Sequence, residues 1–280
     1  VHDLQLWTDG RFSPATGDLA GNERALLVAD SFRVSNGTVI AHELHRDRFV
    51  MGCILMGYSN PAELANFWRE ATLYLADASR GDDLFPRVEL LAAEGGHRLA
   101  LLTRSIQRLG EAPESIILSS SYSDPRRLPT IKGPNIALFS RLNARASETA
   151  QYPIATGDPG PTPVHDTIIC TSDGTVIEGT TTSLLWWNNN TLHRVPTARP
   201  RVSSVTERIL IEAAGSLEIP VAETDAKAHT LANHEVWAVN ALHGIRPVAH
   251  IDGVPTPQVD ADRLARFAEA RASLATGIGD

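Results

Sequence analysis

The chain has 280 residues, 42% of them hydrophobic and 21% charged, a composition that excludes disordered and collagenous classes. A formal net charge of −8 excludes the broad basic field on which nucleic-acid binders rely, and no apolar run reaches transmembrane length. The start, Val1-His2-Asp3-Leu4, lacks the basic and apolar regions of a signal peptide, and Cys53 and Cys170 lie far apart without CxxC spacing, so the expected setting is a reducing cytoplasm without disulfides or a zinc ribbon.

In chain order, Ala25–Ala29 reads as a short apolar strand. Arg33–Ile40 reads as a hairpin turning at Asn36-Gly37, a pair that tolerates the left-handed backbone of a tight turn. His42–Leu55 reads as a helix. A second helix starts at Asn60-Pro61, with Asn60 as cap and Pro61 in the first turn, and Leu64, Phe67, Trp68, Ala71 and Leu75 fall on one face of it. Gly95-Gly96 predicts a loop, and Leu99–Thr103 and Ser115–Leu118 predict strands. Ser119–Pro129, rich in serine, proline and arginine, marks a linker.

Beyond it a helix is expected from Asn135 to Ala150, then a proline-rich loop over Tyr152–His165. A hairpin follows, Thr167–Thr171 and Thr175–Ile177 about Asp173-Gly174. Ser183–Trp187 predicts a buried strand in which Trp186 and Trp187 are core residues. Val205–Gly215 predicts a helix ended by its glycine, Glu235–Val239 a strand, and Asp260–Ala275 a surface helix. Strands and helices mix without regular βαβ alternation, which predicts an α+β fold. The domain limits expected are 1–120 and 131–280 about a linker at 121–130.

Cations in this chain are almost all arginine. Of 25 lysines and arginines only Lys132 and Lys227 are lysines, leaving 23 arginines. A lysine amine can lose its proton and form a Schiff base, which a guanidinium cannot. Lys227 stands among polar neighbours, as a surface lysine would, whereas Lys132 follows the linker in Ile131-Lys132-Gly133-Pro134-Asn135. The ten histidines show no HExxH and no paired-ligand spacing, so no metal site is expected. GxGxxG, Walker and GxSxG patterns are absent.

Four segments taken together resemble the fold-type IV pyridoxal-phosphate enzymes, the family of class IV aminotransferases and 4-amino-4-deoxychorismate lyases. His45-Arg46-Asp47-Arg48-Phe49 resembles the family's His-x-x-Arg helix motif, which makes Arg48 a ligand of the cofactor phosphate. Lys132 in Lys-Gly-Pro-Asn matches the lysine that carries the cofactor as a Schiff base. Glu178 in Glu178-Gly179-Thr180-Thr181-Thr182-Ser183-Leu184 matches the glutamate that pairs with the pyridine nitrogen. Ser203-Ser204-Val205-Thr206-Glu207 resembles Pro-Gly-Ile-Thr-Arg, a helix start whose amides, here those of Val205 and Thr206, hold the phosphate.

A weaker match, Asn240–Val248, contributes Ala241 to the cofactor and Leu242 to the substrate. Its Asn-Ala-Leu opening is closer to the lyases, and Ser31 takes the place of a lyase threonine that assists proton transfer. Arg104 and Arg246 are candidate carboxylate binders. The sequence departs from the family at Ser183, Ser204, Glu207 and Ile136, where asparagine, glycine, arginine and tyrosine are usual, and in the added length between Lys132 and Glu178.

The resemblance implies a two-domain fold with a small α/β N-terminal domain and a larger β-rich C-terminal domain, the cofactor in the cleft between them, and a homodimer. The activity it favours is 4-amino-4-deoxychorismate lyase, which releases pyruvate and 4-aminobenzoate. An amino-acid aminotransferase of branched-chain or D-amino-acid type is the alternative. A catalytically inactive member serving as a binding module is the third.

Overall fold

The structure, a computed structural model, describes residues 2–15, 25–107, 115–149 and 164–278. Contacts divide the chain into two compact units. The first is Val1–Leu109 with Ile131–Pro134 and Ala272–Asp280, and the second is Gly110–Thr130 with Asn135–Arg271. The mixed α+β organisation expected from the sequence is the one observed.

The first unit opens with β1 (His2–Thr8) and β2 (Arg11–Pro14), an antiparallel hairpin. Its turn, Asp9-Gly10, has positive φ at both residues, the backbone that suits the twist of two paired strands. Strands β3 (Leu26–Ser31), β4 (Val34–Ser35) and β5 (Thr38–Ile40) follow, and Asn36-Gly37 turns between the last two with positive φ, as predicted. Helices α1 (His42–Leu55) and α2 (Pro61–Ala78) come next. The Asn60 side chain accepts the Glu63 amide (3.1 Å), and α2 buries the predicted face, Leu64, Phe67, Trp68, Ala71 and Leu75.

Strands β6 (Asp83–Leu84), β7 (Arg87–Ala93) and β8 (Gly96–Ile106) complete the run; β7 and β8 form a hairpin about Glu94-Gly95, so Gly96 belongs to a strand and not to the expected loop. The sheet runs from the C-terminal strand Ala275–Gly277 through β5, β4, β6, β8 and β1 to β2, with β7 on β8 and β3 on β7. Phe49, Phe67, Leu75, Val88, Leu90 and Leu101 are in its core. Each fully buried side chain of this size contributes about 1.5–3 kcal/mol.

The second unit contains β9 (Ile116–Ser121), α3 (Ile136–Thr149), β10 (Asp166–Cys170), β11 (Val176–Gly179), β12 (Ser183–Asn188) and β13 (Thr191–Arg194). Then come α4 (Val205–Ser216), β14 (Val221–Glu223), α5 (Ala228–Leu231), β15 (Glu235–Asn240), β16 (Gly244–Ile251), β17 (Val254–Pro255) and α6 (Ala261–Ala272). The strand order is β11-β10-β9-β16-β15-β12-β13-β14, with β17 on β16. Strand β9 is parallel to both its neighbours, and most other pairs are antiparallel. Trp187, Trp237 and Phe267 meet edge to face at 5.2–5.7 Å between centroids, so the tryptophan pair is core as expected.

Three further expectations are corrected. Ser119–Ser121 belong to β9, not to a linker loop, because they pair with β10. Helix α4 runs past Gly215 to Ser216, and the left-handed residue comes later, at Glu218. The final helix stops at Ala272, and Ala275 enters a strand that pairs with β5. The proline-rich segment lies outside the described residues as far as residue 163.

Candidate active site

In the first unit, the candidate residues gather around β3. The Ala29 amide donates to the Lys132 carbonyl (2.7 Å), so the segment that holds the half-buried Lys132 lies along that strand. Gly133 makes this approach possible. Its φ is +135°, and a Cβ there would stand 2.8–2.9 Å from Ala29 N, Val28 C and Val28 Cα.

Side chains alternate along a strand, so β3 presents different groups to its two faces. Asp30 is fully buried on one. Its carboxylate accepts Arg48 Nε (2.6 Å) and Nη2 (2.8 Å), and His45 Nδ1 lies 2.8 Å from Oδ1. Burial raises the Asp30 pKa, but the charges and hydrogen bonds of Arg48 and His45 outweigh it and hold the carboxyl below its ordinary range. The His45 pKa is lowered by burial, opposed by Asp30 and reinforced by the charges of Arg48 and Lys132. The His45 ring is therefore neutral near pH 7, and its Nδ1–H donates to Asp30.

Ser31 points to the other face. It pairs across the strands with Arg87, which pairs with Leu102, two residues before Arg104. Ser31, Arg87 and Arg104 therefore share a face. Arg104 Nη2 lies 3.4 Å from Ser31 Oγ, Nε donates to the Phe85 carbonyl (2.8 Å), and the guanidinium stacks 4.8 Å from the Phe85 ring centroid. Arg87 Nε donates to the buried Glu89 (2.7 Å).

In the second unit, Glu178 is the last residue but one of β11 and is buried. It forms a buried ion pair with Arg126 through Oε1. Arg126 is clamped by both Asp124 oxygens (2.7 and 2.8 Å) and by the Pro200 carbonyl (2.9 Å). Burial alone would lower the Arg126 pKa; Asp124 and Glu178 outweigh it and raise the pKa, so the cation is held. The turn after Glu178 is organised by buried Asp166, which accepts the hydroxyls of Thr180 and Thr182 and the Thr181 amide. Gly179 lets Asp166 and the Thr182 hydroxyl come this close, since a Cβ would overlap both.

Helix α4 starts at Val205 and Thr206, both buried, and the Ser204 hydroxyl caps it by accepting the Glu207 amide (3.2 Å). The first amides of a helix have no acceptor within it, and those of Val205 and Thr206 are the first two of α4. Glu207 is buried between two guanidiniums, bidentate with Arg201 (2.6 and 2.7 Å) and paired with Arg194 (2.7 Å). At the β15–β16 turn the Asn240 side chain accepts the amides of Leu242 (3.1 Å) and His243 (2.8 Å), fixing Ala241 and Leu242, and Arg246 stands on β16 opposite Ala238.

The structure thus assembles Lys132, Arg48, Ser31 and Arg104 within one unit, and Glu178, Val205, Thr206, Ala241, Leu242 and Arg246 within the other. Sequence reasoning missed Asp30, Arg87, Arg126 and Asp166. Asp30 could have been suspected as an acid beside Ser31, but Arg126 stands among a run of arginines with no local signal.

The profile of the amino-transferase class IV family matches residues 27–251. The chain belongs to this family. It is accordingly a pyridoxal-phosphate-dependent enzyme of class IV. Several solved structures of class IV shape are similar to it over nearly the whole length. A fold IV-transaminase, CpuTA1, from Curtobacterium pusillum shares 20% identity with TM-score 0.73, covering 98% of this chain and 97% of that one. A hypothetical aminotransferase from Mycobacterium tuberculosis, in a PLP-bound form, shares 19% with TM-score 0.75, covering 97% and 98%. A branched-chain aminotransferase from the thermophilic archaeon Thermoproteus uzoniensis, with norvaline, shares 17% with TM-score 0.73, covering 99% of each. These likenesses establish the fold. No curated protein matches the sequence significantly.

Proposed function

We propose that this class IV enzyme moves an amino group between an amino acid and a 2-oxo acid. The observation that carries the reading is the position of Lys132. One of only two lysines, it sits in a segment locked on β3 by Gly133, in the same unit as Arg48 and the Ser31, Arg87 and Arg104 face.

The residues fit pyridoxal 5'-phosphate. A dianionic phosphate needs a fork-shaped cation and amides without a helical acceptor: Arg48 is such a cation in the first unit, and the helix start at Val205 and Thr206 carries such amides in the second. A pyridine nitrogen needs a buried carboxylate, and Glu178 is one, held by Arg126. Lys132 would hold the cofactor covalently, and Ala241 would border it. When bound, the cofactor spreads negative charge from the substrate carbon into its ring. Glu178 would keep the ring nitrogen protonated. The Lys132 amine would move a proton to or from that carbon. Arg104 and Arg246 would bind substrate carboxylates, with Arg87 beside Arg104 and Leu242 supplying an apolar contact.

Ser31 favours a second reading, release of pyruvate from 4-amino-4-deoxychorismate, because its hydroxyl shares the face of Arg104 and can relay a proton. The reading also takes the chain as a cytoplasmic homodimer. Both cysteines are free and buried, and no helix among the described residues is long and apolar enough to cross a membrane. Sedimentation of the purified protein tests the dimer.

The functional test begins with a visible absorption band that borohydride bleaches and that Lys132→Ala lacks. Amino transfer from a panel of amino acids that requires a 2-oxo acid supports the first reading. Pyruvate release from 4-amino-4-deoxychorismate without any 2-oxo acid supports the second. A protein that stays colourless with added pyridoxal phosphate overturns both.

A further inference from the structure

We infer that Asp30 is a positioning residue for the phosphate site: it holds Arg48 in its anion-binding pose before any anion arrives. This rests on the reading of Arg48 as a phosphate ligand.

The geometry is specific. Asp30 is fully buried near the end of β3, on the face that packs against α1, and Arg48 lies one turn after His45 on that helix. Arg48 approaches through Nε and Nη2, one to each carboxylate oxygen (2.6 and 2.8 Å). Two parallel bonds fix the plane of a guanidinium as well as its position, which a single contact does not. His45 completes the arrangement. Its ring is buried beside Phe32, with centroids 5.4 Å apart, and its Nδ1 reaches the same Oδ1 that Arg48 Nη2 uses. The carboxylate is thereby fixed from two points of one helix, and the helix is tied to β3.

The charges explain why the carboxylate is needed and what it costs. A buried carboxylate without Arg48 would lose its compensating cation, and Arg48 without Asp30 would lose the two parallel bonds that fix the plane of its guanidinium. Asp30 also offsets part of the positive charge that a phosphate would feel. Placement and charge therefore predict opposite outcomes when Asp30 loses its charge. If placement dominates, phosphate binding weakens. If charge dominates, it strengthens. The buried, bidentate geometry points to placement.

The experiment compares pyridoxal 5'-phosphate with pyridoxal, which lacks the phosphate, in binding to wild type, Asp30→Asn and Arg48→Lys. The ratio of the two affinities isolates the phosphate contribution; general loosening of the fold lowers both affinities and leaves the ratio unchanged. We expect the ratio to fall about tenfold in Asp30→Asn, the effect of losing one side chain's restraint, and at least as far in Arg48→Lys. An unchanged or larger ratio in Asp30→Asn, beside a reduced one in Arg48→Lys, overturns the inference and spares the Arg48 reading. An unchanged ratio in Arg48→Lys overturns that reading itself.

Should Asp30→Asn not fold, NMR of the cofactor-free wild-type protein decides. The Arg48 Nε–H signal, assigned by its loss in Arg48→Lys, is expected to be as rigid without inorganic phosphate as with it. A signal that is mobile and becomes ordered only on adding phosphate overturns the inference.

Discussion

Gly133→Ala tests whether contact with β3 places Lys132. The added methyl carbon would lie 2.8 Å from Ala29 N and 2.9 Å from both Val28 C and Val28 Cα, all backbone atoms within a paired strand. Nothing there can turn aside as a side-chain tip would. The φ of +135° adds a conformational cost of about 1–3 kcal/mol for a residue with a Cβ. Overpacking against fixed atoms adds about 1–3 kcal/mol, so the local penalty is about 2–6 kcal/mol. The segment relieves it by leaving β3, which breaks the 2.7 Å bond from the Ala29 amide to the Lys132 carbonyl. Hydrogen exchange at the Ala29 amide should therefore accelerate, and cofactor uptake should weaken. Gly37→Ala is the control: its φ is also positive, at +70°, but nothing lies within 4 Å of the new Cβ, so only the conformational part applies. Unchanged Ala29 exchange in Gly133→Ala, or an equal loss of stability in the two variants, would refute the reasoning.

Arg126→Met takes the guanidinium from the buried Glu178 carboxylate and should cost about 3–5 kcal/mol in urea unfolding of the second unit, whereas Arg126→Met with Glu178→Leu should recover most of it; no recovery in that double-mutant cycle would show that the pair is not the source. His42 has its pKa lowered to about 4, chiefly by burial and secondarily by the charges of His45 and Arg46. Below the ordinary histidine value the unfolded chain takes up a proton that the native ring refuses, so stability is full above pH about 6.5 and falls as pH drops towards 4. With allowance for the partial exposure of the ring, the fall is about 2 kcal/mol. His42→Phe keeps the ring against Trp68 and Phe32 and should remove that part of the pH dependence, as measured by urea unfolding at pH 7 and pH 4.5.

The legible parts of this chain are those set by neighbours in sequence. Asn60-Pro61 starts α2, and the apolar spacing after it names the buried face, because capping and helical periodicity act within one or two turns. Asn36-Gly37 turns its hairpin for the same local reason. Gly215 misled because one glycine costs a helix only about 1 kcal/mol, less than the burial of Ile209, Leu210 and Ala214 secures for α4. The ion pairs could not be read in this way. Asp30 and Arg48 are 18 residues apart, and Arg126 and Glu178 are 52 apart; each pair meets only because sheet and helix bring it together. The grouping of Ile131–Pro134 with the first unit likewise follows from a contact with β3 that no local composition reveals.

Glu207 shows how far a motif departure can mislead without its partners. Where the resemblance calls for arginine at the helix start, a carboxylate would repel a phosphate. The fold buries that carboxylate and closes it between Arg201 and Arg194. Two guanidiniums around that carboxylate cancel the charge that would repel an anion beside the amides of Val205 and Thr206, and Glu223, which feels both cations, brings the cluster close to neutral. The acid then orients cations drawn from β13 and from the loop before α4, so the amides without a helical acceptor at Val205 and Thr206, not a local surplus of cations, are what the helix start offers an anion.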